Sequence, residues 1–104
     1  MSSFDEREKG FENKFAHDQE MIFKAEARRN KLIGLWAADL LGKTGDDAMA
    51  YAREVIKADF EESGDEDVYR KLAHDLGNRA DEKTIRSKMV ELLAEAKVQI
   101  FNES

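Results

Sequence analysis

The sequence of 104 residues contains no cysteine. Disulfide bonds, thiol nucleophiles and thiolate metal sites are therefore excluded. Only two histidines are present, His17 and His74, and they leave little from which to build a zinc site. We expect neither a metal nor a cofactor in this protein.

Proline is absent, and glycine occurs only six times. An all-β sandwich or barrel needs many turns and usually contains more of both residues. No segment alternates apolar and polar residues over enough positions to predict a sheet. These absences favour an all-α fold.

The sequence also lacks long apolar runs and an excess of positive charge. No apolar run approaches the ~20 residues that a membrane-spanning helix needs. The first residues show no basic stretch before an apolar core, so we expect no secretory signal. The formal net charge of −6 argues against a nucleic-acid-binding protein. A chain of this length is expected to form one domain.

Charged residues make up 38% of the sequence, and the apolar residues between them recur at helical spacing. The first predicted helix covers residues 19–41, with Asp18 as its N-cap and Gly42 just past its end. Its predicted apolar face comprises Ile22, Ala25, Leu32, Ile33, Trp36, Leu40 and Leu41.

Three further helices are predicted, and together the four should pack as a four-helix bundle over residues 18–104. The second helix starts after Thr44, with a weak capping box, and reaches about residue 61 before a break at residues 63–64. Asp65 and Asp81 are the predicted N-caps of the third and fourth helices, and Gly77 ends the third. The fourth should carry one wide apolar stripe and an otherwise polar surface. The predicted apolar faces comprise Ala48, Tyr51, Ala52, Val55, Ile56 and Phe60, then Val68, Tyr69, Leu72, Ala73 and Leu76, then Ile85, Met89, Leu92, Leu93, Ala96 and Ile100. Trp36 and Tyr51 are expected to be buried in the core.

The N-terminal segment, residues 1–17, does not fit the pattern of the bundle. Phe4, Phe11 and Phe15 are separated by seven and four residues, so they share one helical face between mixed charges. Gly10 costs up to ~1 kcal/mol of helix stability. We expect a mobile amphipathic arm that becomes helical against a groove of a partner. In the alternative interpretation, the phenylalanines extend the first helix and cover the bundle.

Several apparent ligand sites have incomplete motifs. Residues 42–44 read Gly-Lys-Thr, the end of a phosphate-binding loop, but Ala37 stands where the first glycine is required. Residues 59–64 resemble the start of a calcium loop, but Arg70 replaces the essential glutamate. A basic cluster remains as a candidate for nucleotide contact: Lys24, Arg28, Arg29 and Lys31.

Two classes of function fit these patterns. One is a regulator that docks through the bundle and inserts its arm into a larger machine. The other is a small helical nucleotide-binding protein, with ADP or ATP as the ligand. No catalytic constellation is visible in the sequence, so we do not expect an enzyme.

Two strings resemble those of a known family. ARRNKLIGLWAA at residues 27–38 and ADFEESGDEDV at residues 58–68 are similar to the zeta subunits of alphaproteobacterial F-type ATP synthases. The family commonly has a proline where this chain has Ser63. The resemblance extends over nearly the whole chain.

The resemblance implies a four-helix regulatory protein that inhibits ATP hydrolysis. The N-terminal segment would insert among the α, β and γ subunits of the catalytic head while the bundle anchors it. The protein would be cytoplasmic and peripheral to the inner membrane through the ATP synthase, without inserting into the membrane itself. Carried over by position, the inhibitory residues are Phe4, Asp5, Arg7, Glu8, Lys9, Phe11, Glu12 and Phe15.

Overall fold

The computed structural model describes residues 19–59 and 65–103 as four α-helices. They are α1 (Gln19–Leu40), α2 (Gly45–Ala58), α3 (Glu66–Leu76) and α4 (Glu82–Glu103). A short 3₁₀ turn (Gly77–Arg79) joins α3 to α4. Helix α1 is central and packs mainly against α2 and α4, while α3 contacts all three of the other helices. The predicted all-α four-helix bundle is confirmed.

Several expectations lie outside the described residues. These are the conformation of the arm at residues 1–17, the N-cap at Asp18 and the break at residues 63–64. The predicted packing of Phe60 lies there as well. Helix α2 ends at Ala58, three residues before its predicted end.

Two of the three predicted N-caps within the described residues lack the expected hydrogen bond from the helix to the capping side chain. The Asp81 carboxylate accepts a 2.8 Å hydrogen bond from the Thr84 N–H and caps α4 as expected. At Thr44 only the backbone carbonyl accepts N–H groups of α2, and the side chain makes no capping bond. Asp65 does not cap α3 with its side chain either, because its carboxylate is hydrogen-bonded by Arg29 of α1. Gly42 has a φ of +76°, which suits the predicted left-handed end of α1.

The buried face of α1 is made largely of small residues rather than of the predicted leucines. Gly34, Ala37 and Ala38 are buried, whereas Leu40 is 38% exposed. A Cβ built on Gly34 would lie 2.7 Å from the Cα of Ala52, so the backbones of α1 and α2 nearly touch. The missing side chain at Gly34 is what permits this approach.

The core consists of two apolar clusters. The larger joins all four helices, and the smaller holds the first turns of α1 against the last turns of α4. Tyr51 is buried as predicted, but Trp36 is only partly buried, because it packs at the edge of the larger cluster. The buried members of the larger cluster are Ile33, Ala37, Ala38, Tyr51, Val55, Val68, Leu72, Leu76, Ile85, Met89 and Leu92, and those of the smaller are Met21, Ala25 and Ile100.

Candidate functional site

The predicted inhibitory residues all lie outside the described part of the chain. Helix α1 begins at Gln19, directly after this segment. The role of these eight residues therefore stays a prediction. They are Phe4, Asp5, Arg7, Glu8, Lys9, Phe11, Glu12 and Phe15.

Three of the four predicted basic residues lie together on one groove. Lys24, Arg28 and Lys31 follow each other at helical spacing along α1 and line a groove of about 480 Å³. The floor of the groove is apolar and includes Ile56 of α2 and Ile100 of α4. An aromatic ring with a phosphate group would find both an apolar floor and cations here.

Most of the positive charge on this groove is already paired. Arg28 donates to Gln99 at 2.7 Å and to both carboxylate oxygens of Glu103 at 3.0 Å. Lys24 lies 3.3 Å from Glu20. Of the three cations that line the groove, only Lys31 has no ion pair with a described residue. An anion would thus compete with existing carboxylate partners for two of the three cations.

Arg29, the fourth basic residue, points into the bundle instead. It is only 1% exposed, and its guanidinium donates to Asn30 Oδ1 at 2.7 Å and to Asp65 Oδ1 at 2.9 Å. The Asn30 amide is close enough to the Asp59 carboxylate to lower its pKa. Asp59 follows α2 and Asp65 precedes α3, so α1 holds both ends of the segment at residues 60–64. We call Arg29, Asn30, Asp59 and Asp65 the α1 clamp.

Negative charge exceeds positive charge around the clamp. Glu26, one turn before Arg29, and the buried Asp67 add two carboxylates to those of Asp59 and Asp65. Burial raises the pKa of Glu26, and the nearby charges of Asp59 and Asp65 raise it further. Burial also raises the pKa of Asp59, against the hydrogen bond from Asn30 and the charge of Arg29. The ionised forms of Glu26 and Asp59 therefore destabilise the folded state, and Arg29 offsets part of that effect.

The clamp joins the two strings that carry the family resemblance. Arg29 and Asn30 belong to residues 27–38, while Asp59 and Asp65 belong to residues 58–68. The ion pair between Arg29 and Asp65 spans 36 residues of sequence. No local sequence pattern predicts such a contact, because the two residues lie on different helical segments far apart in the chain.

The described residues contain no cluster of side chains suited to metal binding. No group of three or more His, Asp or Glu side chains in residues 19–59 and 65–103 is placed to hold a metal ion. None of the four described helices has the length and apolar character needed to cross a membrane.

Comparison with known proteins assigns the family. A family model described as ATPase inhibitor subunit zeta matches residues 1–99, which include both strings and the N-terminal segment. The chain belongs to this family. A structure solved by solution NMR is 58% identical, with a TM-score of 0.75, over 81% of this chain and 99% of that chain. No curated protein matches the chain.

Membership of the family indicates an inhibitory, regulatory role, which implies interaction with the ATP synthase. The predicted resemblance is thereby confirmed.

Proposed function

We propose that this protein inhibits ATP hydrolysis by the F-type ATP synthase by inserting residues 1–17 into the catalytic head. The observation that carries the proposal is the match to an ATPase inhibitor family that begins at residue 1 and so includes this segment. The spacing of Phe4, Phe11 and Phe15 supports it, because these residues would share one face of a helix. The partners would be the α, β and γ subunits of the head.

The inhibitor acts mechanically and catalyses no reaction. The catalytic interfaces of the head open and close as its central shaft turns, and a helix lodged in one of them prevents closure. Burying each phenylalanine contributes about 1.5–3 kcal/mol, while ordering the arm costs about 2–5 kcal/mol. The arm alone therefore binds weakly, and the bundle raises its effective concentration at the head.

The arrangement of the core supports a division between arm and bundle. The described buried residues of both apolar clusters lie between Met21 and Ile100, and all four described helices contribute to them. Within the described chain, no buried side-chain nitrogen or oxygen lacks a hydrogen-bond partner. Changes on the arm should accordingly alter inhibition and leave the stability of the bundle unchanged.

The test uses paired substitutions in the full chain. Phe11→Asp with Phe15→Asp places two charges on the face that must be desolvated, so inhibition of hydrolysis by a purified head should be lost. Asn13→Ala, roughly on the opposite side of the predicted helix, is the control and should inhibit like the unmodified chain. Urea unfolding should be the same for all three proteins.

Two results would contradict the proposal. If the double variant inhibits as well as the unmodified chain, the arm is not the inhibitory element. If it unfolds at a much lower urea concentration, the phenylalanines belong to the core of the bundle.

We place the protein in the cytoplasm, at the inner membrane only through the ATP synthase. Its net charge of −6 does not suit nucleic acid as a partner.

Nucleotide binding is the second candidate function, and the groove lined by Lys24, Arg28 and Lys31 favours it. A nucleotide would stack on the apolar floor and pair its phosphates with Lys31, which forms no ion pair with any described residue. Calorimetric titration with ADP should then give a heat of binding that Lys31→Glu removes. A titration without binding heat eliminates this candidate.

A further inference from the structure

The outer face of α4, turned away from the core, carries an apolar stripe that folding does not require. Val90 is 71% exposed and Val98 is 49% exposed, and the exposed Ala94 lies between them. A spacing of four residues puts the three side chains on one line along the helix. The sequence predicts a polar surface here, since only the core-facing stripe is needed for packing. Valine is also a poor helix former at a solvent-exposed position.

A groove containing the single tryptophan adjoins this stripe. It has a volume of about 380 Å³ and lies between the partly buried Trp36 of α1 and the first three turns of α4. Of its lining residues, Ser87 lies one turn before Val90 on the helix surface, and Glu91 lies one turn before Ala94. The groove and the stripe therefore form one continuous surface, which we call the Trp36 surface. The residues that define it are Trp36, Lys83, Thr84, Ser87, Lys88, Val90, Glu91, Ala94 and Val98.

The groove end of the Trp36 surface is basic. Lys83 is exposed and makes no ion pair with any described residue. Lys88 is 3.0 Å from Glu91 on its own helix, and its ammonium lies 6.0 Å from the centre of the Trp36 ring. The groove lining carries two lysines against one glutamate, while the Asp81 carboxylate that caps α4 is close enough to interact with the charge of Lys83. An acidic partner is complementary to this end of the surface.

We propose that the Trp36 surface is where the bundle docks on an acidic helix exposed by the catalytic head, which rests on the proposed function. The partner helix would lay apolar side chains along Val90, Ala94 and Val98 and present carboxylates to Lys83 and Lys88. A partly exposed tryptophan in a groove is the kind of side chain that dominates binding energy in protein interfaces. A linear stripe over two turns matches the ridge of a helix.

A second copy of this chain fits the surface less well than the head does. The nine residues of the Trp36 surface are fewer than the roughly 20–30 residues that each partner contributes to a standard interface. Two copies at net charge −6 also repel each other. A bundle already tethered through its arm needs much less surface, because the second contact forms within one complex.

The first test reverses the character of the surface at two exposed positions. Lys83→Glu with Val90→Glu changes the charge by −3, and both side chains are exposed. The matched control is Ala50→Glu with Arg53→Glu on the exposed face of α2, which also changes the charge by −3. The concentration for half-maximal inhibition should rise about tenfold or more for the surface variant and stay within about twofold for the control. Inhibition at saturation should remain complete, since the arm is unchanged.

The second test measures directly whether the Trp36 surface loses contact with water when the head is added. Because the chain has no cysteine, Ser87→Cys can be labelled uniquely with a polarity-sensitive fluorophore, and Ala50→Cys gives the matched label on α2. Adding the head should shift the emission of the Ser87 label to shorter wavelength and leave the Ala50 label unchanged.

The outcomes separate this proposal from the proposed function. A surface variant that inhibits at the same concentration as the unmodified chain, with a silent Ser87 label, overturns the docking site while inhibition stands. A chain that does not inhibit at all but still shifts the Ser87 label overturns the proposed function alone. A Ser87 shift that depends on protein concentration without the head would assign the surface to a second copy and overturn our choice of partner.

Discussion

Replacing Arg29 by methionine should be among the most damaging single changes in the bundle. The Arg29 side chain is 1% exposed and donates to Asn30 at 2.7 Å and to Asp65 at 2.9 Å. Methionine keeps an unbranched stem of similar length and a similar helix propensity, so the change removes mainly the charge and the hydrogen bonds. Breaking a buried ion pair from one side costs about 3–5 kcal/mol.

The lower end of that range applies to Arg29→Met. The Asp65 side chain is 50% exposed, so water can solvate it once the guanidinium is gone. We therefore expect a loss of about 3 kcal/mol, a large part of the about 5–15 kcal/mol that stabilises a domain of this size. Lys31→Met is the matched control, because Lys31 is exposed on the same helix and should change stability by no more than about 0.5 kcal/mol.

The loss at Arg29 should also depend on pH. Without the guanidinium, the ionised carboxylates of Glu26, Asp59 and Asp65 repel one another with less compensation, which raises the folded-state pKa values of Glu26 and Asp59 further above their ordinary values of 4.5 and 3.8. Protonation relieves this repulsion, so the deficit of the variant should be smaller at about pH 5 than at about pH 7. Urea unfolding followed by far-UV circular dichroism at both pH values measures it. A loss below about 1 kcal/mol at neutral pH, or an equal loss at both pH values, would refute the clamp as the source of stability.

Two smaller changes test the same bundle. Gly34→Ala gains about 1 kcal/mol of helix propensity but places a Cβ 2.7 Å from the Cα of Ala52. Because the α2 backbone cannot rotate away, overpacking should cost about 1–3 kcal/mol, outweigh this gain and lower the melting temperature. A higher melting temperature would mean that α1 and α2 can move apart without a loss of stability. In the unmodified chain, the raised pKa values of Glu26 and Asp59 make their ionised forms unfavourable in the folded state, so stability should increase as pH falls from 7 toward about 4.5. Below about pH 3.8 it should decrease, because hydrogen bonds from Lys71 and Tyr51 outweigh burial and lower the pKa of Asp75, whose contribution is lost on protonation. Glu26→Gln should reduce the increase in stability between pH 7 and about 4.5. An unchanged dependence of stability on pH would contradict the assignment of this increase to Glu26.

The sequence predicted the four helices because their apolar residues recur with a period close to 3.6. It placed the end of α1 before Gly42 and the cap of α4 at Asp81, since both depend on local chemistry. It misjudged features that depend on distant residues. Asp65 has the right type and position for a helix cap, but its carboxylate is taken by Arg29 from another helix.

The buried face of α1 shows the same limit of local reasoning. Large apolar side chains at helical spacing predicted a face through Trp36 and Leu40, yet the helix buries Gly34, Ala37 and Ala38 against its neighbours. Close approach of two backbones favours small side chains, which a hydrophobicity pattern gives little weight. The larger residues are left at the edges, and this is why Trp36 lines a groove rather than filling the core.

The strings that identify the family and the residues proposed to inhibit are different sets. Residues 27–38 and 58–68 meet in the clamp of Arg29, Asn30, Asp59 and Asp65, so these four residues support the fold. The inhibitory candidates all lie before residue 18, outside both strings. A related chain can therefore keep both strings and lose the aromatic face of its arm. Such a chain would fold into the same bundle without inhibiting, and grafting residues 1–17 of this protein onto it should restore inhibition if the arm carries the activity. If the grafted chain does not inhibit, the inhibitory element must lie in the bundle.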